Sequence, residues 1–202
     1  MAANPDTNLF LRLTRLMLGL ALYGFGLALI VDASIGVPPW DVLALGIAKQ
    51  LGISYGMASI VVSTLVLIAW IPLRVKPGIG SVLNAICIGL FADLFMPWLP
   101  NLEGFWFNLG SFLVGMVAVA FATGLYISSH LGQGPRDGLM LGTQKKLGWK
   151  FWKIRGMYEV GVLTIGWLLG GQVGLGTLIF AICIGYLTQA SLVFFKLQPG
   201  KK

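Results

Sequence analysis

The chain has few charged residues and few of the side chains that bind metals or act in catalysis. Only 10% of its 202 residues are Asp, Glu, Lys or Arg, and it contains two cysteines and one histidine. The sequence has no Cys-x-x-Cys pair, nucleophile elbow, phosphate-binding loop, dinucleotide fingerprint or zinc-binding helix. We therefore predict no metal site and no cofactor, and we expect that the protein is not an enzyme.

Apolar residues make up 57% of the chain, and its mean hydropathy of +0.86 lies outside the range of soluble domains. Several apolar stretches reach the ~20 residues that a helix needs to cross a bilayer. The alternating pattern of barrel strands is absent. These features predict an all-α polytopic membrane protein, with residues 1–202 forming a single membrane domain in contact with the lipid bilayer.

The second half of the sequence repeats the first at a constant spacing of 96 residues. Residues 34–41 align with residues 130–137, and further matches at the same spacing extend over most of both halves. A duplication on this scale predicts two copies of one structural unit. We expect the first copy to cover residues 9–98 and the second to cover residues 105–195.

Six membrane-spanning segments are predicted, three in each copy: residues 10–32, 55–73, 79–98, 105–128, 154–170 and 174–195. Because three is an odd number, the second copy enters the membrane from the opposite side, and the two repeats are inverted. The basic residues lie almost entirely on one side of this arrangement, and they include Lys201 and Lys202 near the C-terminus. By the positive-inside rule, we expect both termini to be cytoplasmic.

Each copy also contains a shorter predicted helix, at residues 38–50 and 135–147. Each begins with proline and then aspartate, and each ends with lysine followed by glycine, which are start and stop signals of helices. A helix of ~13 residues is about 20 Å long, too short to cross a bilayer. Such a helix either lies flat at the interface or re-enters the membrane. We favour re-entrant helices because residues 38–48 carry no charged face along their length.

Two re-entrant helices would meet near the membrane centre, with their N-termini facing each other. Helix N-termini present free backbone N–H groups and a partial positive charge, which transporters and channels use to hold solutes. Glycines beside them would let the backbone approach a ligand closely. The candidate substrate and pathway residues are Gly36, Pro39, Asp41, Gly132, Gln133, Gly134, Pro135, Arg136 and Asp137.

Asp41 and Asp137 occupy equivalent positions in the first turns of the two short helices. Capping a helix contributes ~1 kcal/mol, whereas an aspartate at the membrane centre costs ~2.5–3.5 kcal/mol. We therefore expect each carboxylate to face a polar cavity, to carry a proton or to pair with a cation such as Arg136 or Arg155. Two interpretations of these aspartates remain: each caps its helix only, or each caps its helix and also takes part in transport.

Other polar residues within or beside apolar segments are secondary candidates. Asp93 and Glu159 are also explained by positions near a membrane interface, and Asn84 either forms hydrogen bonds between helices or lines the pathway. The histidine is explained either by an ordinary loop position or by a role in pH sensing. This group comprises Asn84, Asp93, His130, Arg155 and Glu159.

The sequence resembles the YczE/YyaS-type bacterial membrane proteins, which are related to the YitT-type group. The resemblance rests on the G-x-x-P-x-D stretch at residues 36–41, on its copy G-Q-G-P-R-D-G at residues 132–138, and on G-x-G-[ST] at residues 78–81 and 174–177. It implies a multi-pass protein of the bacterial plasma (inner) membrane without a settled activity, in some hosts associated with peptide-antibiotic production. It implies no catalytic or substrate-binding residues.

The leading hypothesis is a small inverted-repeat secondary transporter or channel for a small polar or charged solute, with a coupling ion or proton as a further ligand. The alternative is a non-transporting accessory protein that recruits a cytoplasmic partner through the basic loop 145–155. Because the positive charges lie at the ends of apolar segments, nucleic-acid binding is not expected. A homodimer is compatible with six short spans.

Overall fold

The computed structural model describes residues 8–100 and 104–197. Lys201 and Lys202, which entered the topology prediction, lie outside these residues. Within them, all regular structure is helical, with a 3₁₀ turn at Met96–Trp98 after the fourth helix. The eight α-helices are α1 (Leu9–Asp32), α2 (Pro39–Leu51), α3 (Tyr55–Ile68), α4 (Ile79–Phe95), α5 (Phe105–Ile127), α6 (Pro135–Leu147), α7 (Phe151–Leu168) and α8 (Leu175–Phe194).

Helices α5 to α8 each begin 96 residues after helices α1 to α4, respectively. Left-handed backbone conformations recur at the same spacing. Each of the following pairs has positive φ at both members: Ser34 and His130, Gly36 and Gly132, Gly52 and Gly148, Arg74 and Gly170. The local backbone therefore follows the spacing of the sequence repeat, and residues 96 positions apart can be compared as equivalent.

The ends of α2 follow from its sequence. Pro39 occupies the first turn, where a backbone N–H would have no partner within the helix, and Asp41 lies beside the positive end of the helix dipole. Lys49 lies in the last turn, and Gly52 ends the helix in the left-handed conformation with φ 65°. Helix α6 has the same signals at equivalent positions and ends at Gly148 with φ 70°.

Small residues allow the helices of the two halves to approach closely. Between the halves, α1 packs against α5 and α2 packs against α7, and within the first half α1 also packs against α4. At the crossing of α1 and α5, a Cβ atom added to Gly26 would lie 2.8 Å from the carbonyl oxygen of Gly115. Close backbone approach at small residues is typical of helices packed within a membrane.

Two equivalent hydrogen bonds connect the loop of one half to a helix of the other half. The N–H of Gly80 in α4 donates to the carbonyl of Leu131 at 2.9 Å, and the N–H of Gly176 in α8 donates to the carbonyl of Ile35 at 2.8 Å. Both donors lie in first helical turns, where N–H groups lack helical partners. These bonds fix the stretches before α2 and α6 against the opposite half.

Within residues 8–100 and 104–197, four helices are long and apolar enough to cross a membrane: α1, α4 with the following 3₁₀ turn, α5 and α8. Helices α2 and α3 together make a fifth candidate span, bent by 116°. Helix α3 alone has 14 residues, or about 21 Å. Helix α7 carries three charged residues, Lys153, Arg155 and Glu159, among its 18. The predicted count of six spans therefore stays a prediction.

In the described part of the chain, the contact between α3 and α4 has no counterpart of the same kind between α7 and α8. Helices α3 and α4 touch at Gly56 and Gly89, where a Cβ atom on either residue would collide with the carbonyl oxygen of the other. The residue equivalent to Gly56 is Trp152, which is exposed, and the residue equivalent to Gly89 is Gly185, which has open space around it. Helices α3 and α4 are thus in contact at a position where their equivalents, α7 and α8, are apart.

We expect Gly89→Ala to destabilise the protein and Gly185→Ala to leave its stability unchanged or raise it. The added methyl group at residue 89 meets backbone, and overpacking of this kind costs about 1–3 kcal/mol. At residue 185 nothing lies in the way, and alanine gains up to about 1 kcal/mol of helix propensity over glycine. Thermal unfolding of both variants in one detergent measures the difference, and equal shifts would contradict the packing described here.

Candidate functional site

The N-terminal turns of α2 and α6 meet inside the protein, where a buried ion pair connects them. Arg136, the second residue of α6, donates from Nη2 to Oδ1 of Asp41 at 2.9 Å and from Nη1 to Oδ2 at 3.4 Å. The Asp41 side chain is 1% exposed, whereas that of Arg136 is 24% exposed. The carboxylate therefore depends on Arg136 for charge compensation, because a buried charge without a partner is costly.

Two aromatic residues complete the surroundings of this ion pair. The hydroxyl of Tyr55 donates to Oδ1 of Asp41 at 3.0 Å. The guanidinium of Arg136 lies 5.5 Å from the ring centroid of Trp40, a distance at which cations interact favourably with aromatic faces. Arg136 and Trp40 occupy equivalent positions in the two repeats. The second repeat therefore has an arginine at this position and the first has a tryptophan, and these two equivalent residues contact each other.

Asp137, the equivalent of Asp41, has a different environment. Its Oδ2 accepts one hydrogen bond, from the hydroxyl of Tyr126 at 3.4 Å, and its side chain is exposed. Among the described residues, no lysine, arginine or histidine forms an ion pair with it. Its carboxylate is therefore available to a solute or an ion.

This available carboxylate lies in a cavity of about 400 Å³, which we call the large cavity. Its wall contains the N-terminal half of α7, the C-terminal half of α8, and the first residues of α2 and α6. Arg155 and Glu159 of α7 form an ion pair in this wall at 2.7 Å. The side chains with polar groups are Tyr23, Trp40, Thr123, Tyr126, Arg136, Asp137, Arg155, Glu159, Thr188 and Gln189.

A second cavity of about 80 Å³, the small cavity, adjoins the large one. The two share Tyr23, Tyr126, Arg136 and Asp137. Of the eleven residues that line the small cavity, nine have their repeat-equivalent in the wall of the large cavity. These pairs are Tyr23/Val119, Leu27/Thr123, Ser59/Arg155, Ser63/Glu159, Asn84/Phe180, Ile88/Ile184, Gly134/Pro38, Pro135/Pro39 and Arg136/Trp40. The two cavities are therefore equivalent spaces in the two halves, and they differ in volume.

Asp93 holds α3 and α4 together beside the small cavity. Its Oδ1 accepts the N–H of Gly56 at 2.7 Å, and its Oδ2 accepts the hydroxyl of Ser54. Both donors belong to the N-terminus of α3, where a carboxylate is favoured by the helix dipole. The equivalent of Asp93 is Gln189, which faces the large cavity. We refer to the contact of Asp93 with Ser54 and Gly56 as the α3–α4 closure.

The remaining predicted site residues lie at different places. Gly36 and Gly132, expected to allow a ligand close to the backbone, instead approach protein: an added Cβ would lie 2.7 Å from the Gly174 nitrogen and from the Ser81 hydroxyl, respectively. Gln133 faces a separate pocket beside the end of α6. His130 has positive φ, and its buried Nδ1 has no hydrogen-bond partner.

The other predicted residues line the two cavities: Pro39, Arg155 and Glu159 the large one, Asn84, Gly134 and Pro135 the small one, and Arg136 and Asp137 both. Within the described part of the chain, no cluster of three or more His, Cys, Asp or Glu side chains is arranged to hold a metal ion.

Three tyrosines of the site were missed in the sequence. Tyr23 and Tyr126 line both cavities, and Tyr55 donates to Asp41. A tyrosine within an apolar helix combines an apolar ring with a hydroxyl that needs a partner when it is buried. A tyrosine in an apolar helix therefore indicates that its hydroxyl has a hydrogen-bond partner, but the sequence does not show which residue accepts the bond.

The family described as "Family of unknown function (DUF6198)" matches residues 10–192. An uncharacterised protein of Haemophilus influenzae is 38% identical over 174 residues, which cover 86% of this chain and 80% of that protein. The uncharacterised membrane protein YczE of Bacillus subtilis is 34% identical, over 92% of this chain and 87% of its own length. The Bacillus subtilis protein YyaS is 25% identical, over 83% and 85%. No solved structure matches the chain.

We expect Asp41→Asn to lower the free energy of unfolding by about 3 kcal/mol, because it leaves Arg136 without its buried partner. The control is Glu159→Gln, which breaks the ion pair with Arg155, whose side chain is 44% exposed. That loss should stay below about 1 kcal/mol. Unfolding of the purified variants in detergent gives both values. Similar losses would mean that the Asp41–Arg136 pair is no more important than a solvated one.

Proposed function

We propose a transport function for this chain, which belongs to the family of unknown function DUF6198. It acts as a secondary transporter that moves a small polar or charged solute across the bacterial plasma membrane. Six spans form two inverted repeats, and both termini lie in the cytoplasm. The protein uses no cofactor, has no enzymatic activity and functions as a monomer or a homodimer. Its membrane character is supported by its apolar helices and by its likeness to the membrane protein YczE.

The observation that carries this proposal is the pair of equivalent cavities with unequal volumes, about 400 Å³ and 80 Å³. In inverted-repeat transporters, the solute site lies where the repeats meet, and the repeats exchange conformations during transport. The half that is open closes, and the half that is closed opens. Two spaces with equivalent walls and unequal volumes are what one state of this cycle requires.

The same observation favours a carrier over a channel. A channel conducts through a path that is open to both sides at once, whereas a carrier keeps one side closed at each stage. Here the α3–α4 closure accompanies the collapsed cavity, and no such contact holds α7 to α8 in the described residues. Helix α3 of the first repeat and α7 of the second are thus the elements whose positions differ.

The predicted topology indicates which side of the membrane the large cavity and the α3–α4 closure face. The large cavity is lined by the start of α7 and the end of α8. With the C-terminus in the cytoplasm, both of these regions face the cytoplasm, and the α3–α4 closure faces outward. The described conformation then corresponds to an inward-open state.

The residues of the central site have distinct roles in this proposal. Asp137 contacts the solute or a coupling ion, because its carboxylate is exposed and lines both cavities. The Asp41–Arg136 pair holds the N-terminal turns of α2 and α6 at the point where the cavities adjoin. Movement of that pair would change both cavities together.

We expect cysteines at two equivalent positions to differ in accessibility. In a background with Cys87→Ser and Cys183→Ser, Thr123→Cys should react with a membrane-impermeant maleimide from the cytoplasmic side. Leu27→Cys should be protected, because Leu27 is 1% exposed and lines the collapsed cavity. Right-side-out and inverted vesicles give access to each side separately. Equal labelling of both cysteines, from either side, would contradict alternating access.

The α3–α4 closure offers a second arm of the same experiment. Asp93→Asn removes the carboxylate that holds Ser54 and Gly56, so labelling of Leu27→Cys from the outside should rise and cytoplasmic labelling of Thr123→Cys should fall. Gln189→Asn, at the equivalent position, is the matched control and should change neither. An unchanged pattern in Asp93→Asn would show that this contact does not close the pathway.

We expect a thermal-shift screen of the purified protein against small ions, organic acids, amino acids and nucleobases to yield a stabilising solute. At about 100 times its Kd, a ligand stabilises the native state by ~2.7 kcal/mol. The shift should vanish in Asp137→Asn and persist in Lys150→Gln/Lys153→Gln. Absence of any hit across this panel, with the protein well folded, would support the accessory function instead.

A further inference from the structure

A third pocket, of about 430 Å³, lies outside the two central cavities, where the turn after α3 meets the C-terminal end of α6. We call it the basic pocket. Three cationic side chains line it, and no carboxylate among the described residues does. None of the three forms an ion pair within the described residues. Its lining residues are Leu73, Arg74, Val75, Gln133, Leu141, Gly142, Lys145 and Lys146.

The backbone conformation of Arg74 is unfavourable for a residue that carries a Cβ atom. Its φ is 54°, in the left-handed region that costs a residue with a Cβ roughly 1–2 kcal/mol. The N–H of Arg74 donates to the carbonyl of Ile71 at 3.0 Å, and the equivalent N–H of Gly170 donates to that of Trp167 at 2.9 Å. The same turn is therefore built with glycine in the second repeat. The turn itself therefore does not require an arginine, and Lys196, after α8, has the same left-handed backbone with φ 55°.

The equivalent corner of the protein, where α2 ends beside the turn after α7, is filled. Gln50, the equivalent of Lys146, donates from Nε2 to the carbonyl of Leu169 at 2.9 Å. Lys49, the equivalent of Lys145, lies over Gly170, with its Nζ 3.1 Å from the position of an added Cβ. The basic pocket is thus not a consequence of the repeat. It depends on Arg74 and Lys146, whose equivalents are Gly170 and Gln50, together with Lys145, whose equivalent Lys49 is also a lysine.

Two ordinary explanations account for part of this arrangement. Lysines in the last turn of α6 favour the negative end of its helix dipole, and cytoplasmic loops of membrane proteins are rich in lysine and arginine. Neither explanation requires an arginine with positive φ. Neither requires an open space of this volume, lined by the same three cations.

We propose that the basic pocket binds the phosphate headgroup of an anionic phospholipid. Arg74 suits a phosphate because its planar guanidinium can donate two parallel hydrogen bonds, and Lys145 and Lys146 add positive charge. The aliphatic wall, which includes the exposed Leu141, suits the start of an acyl chain. Basic pockets between helices at the cytoplasmic side of a membrane bind acidic headgroups in this manner. This site is independent of the proposed transport cycle.

Binding can be measured on the purified full chain in a neutral detergent, by native mass spectrometry and thermal unfolding. The probes are phosphatidylglycerol, phosphatidylcholine, glycerol phosphate and inorganic phosphate. We expect phosphatidylglycerol to bind at least tenfold more tightly than the other three and to raise the unfolding temperature. Equal affinity for phosphatidylcholine would overturn the role of charge. Equal affinity for free phosphate or glycerol phosphate would overturn the assignment to a lipid.

Arg74→Gly is the decisive variant, because glycine is the residue that the second repeat uses in the same turn. The change removes the guanidinium and relieves the backbone strain, so the protein should fold at least as well. We expect it to weaken phosphatidylglycerol binding at least tenfold, and Lys145→Gln/Lys146→Gln to do the same. The matched control, Lys49→Gln, should retain binding. Undiminished binding in Arg74→Gly would overturn the proposal.

Discussion

The ion pair between Asp41 and Arg136 connects the two short helices at the centre of the protein. A carboxylate that is 1% exposed requires a cation, and among the described residues Asp41 finds it in Arg136 of the other repeat. Satisfying this charge brings the N-terminal turns of α2 and α6 together. Since the first residues of both helices line the cavities, the ion pair also fixes the point at which the two cavities adjoin. The other carboxylate, Asp137, is left available because Arg136 is already engaged.

A duplicated sequence gives two equivalent halves, and substitutions at a few equivalent positions make them differ. Where the first half has Gly56 and Asp93, the second has Trp152 and Gln189. The glycine lets α3 approach α4 until their backbones touch, and the aspartate then binds the N-terminus of α3. Trp152 carries a large, exposed side chain at the position where α3 has glycine, so an approach of α7 to α8 as close as that of α3 to α4 is disfavoured. The smaller cavity thus lies in the half where α3 and α4 are in contact, and the larger one lies in the half without such a contact.

Much of the local structure could be predicted from the sequence, because it depends on local signals. The start and end of α6 at residues 135 and 147 follow from Pro135, Asp137 and Gly148. The pairing of Asp41 was less accessible, since Arg136 and Arg155 were both candidate cations, and the choice depends on how helices far apart in sequence pack. The accepting role of Asp93 was missed for the same reason. The number of membrane spans stays a prediction, because α3 is short and α7 carries three charges.

The asymmetry between the halves also bears on the opposite state of the proposed cycle. If α7 and α8 closed as α3 and α4 do, Trp152 would occupy the place where Gly56 touches α4, and a tryptophan cannot allow the same separation between backbones. Gln189 could still accept a hydrogen bond from the start of α7, but an amide lacks the charge that favours a carboxylate at a helix N-terminus. The outward-open state would therefore be less tightly closed on its cytoplasmic side than the described state is at the α3–α4 closure. Without a solute, the equilibrium should then favour the described conformation, and a solute that stabilises the opposite state must supply the difference in binding free energy.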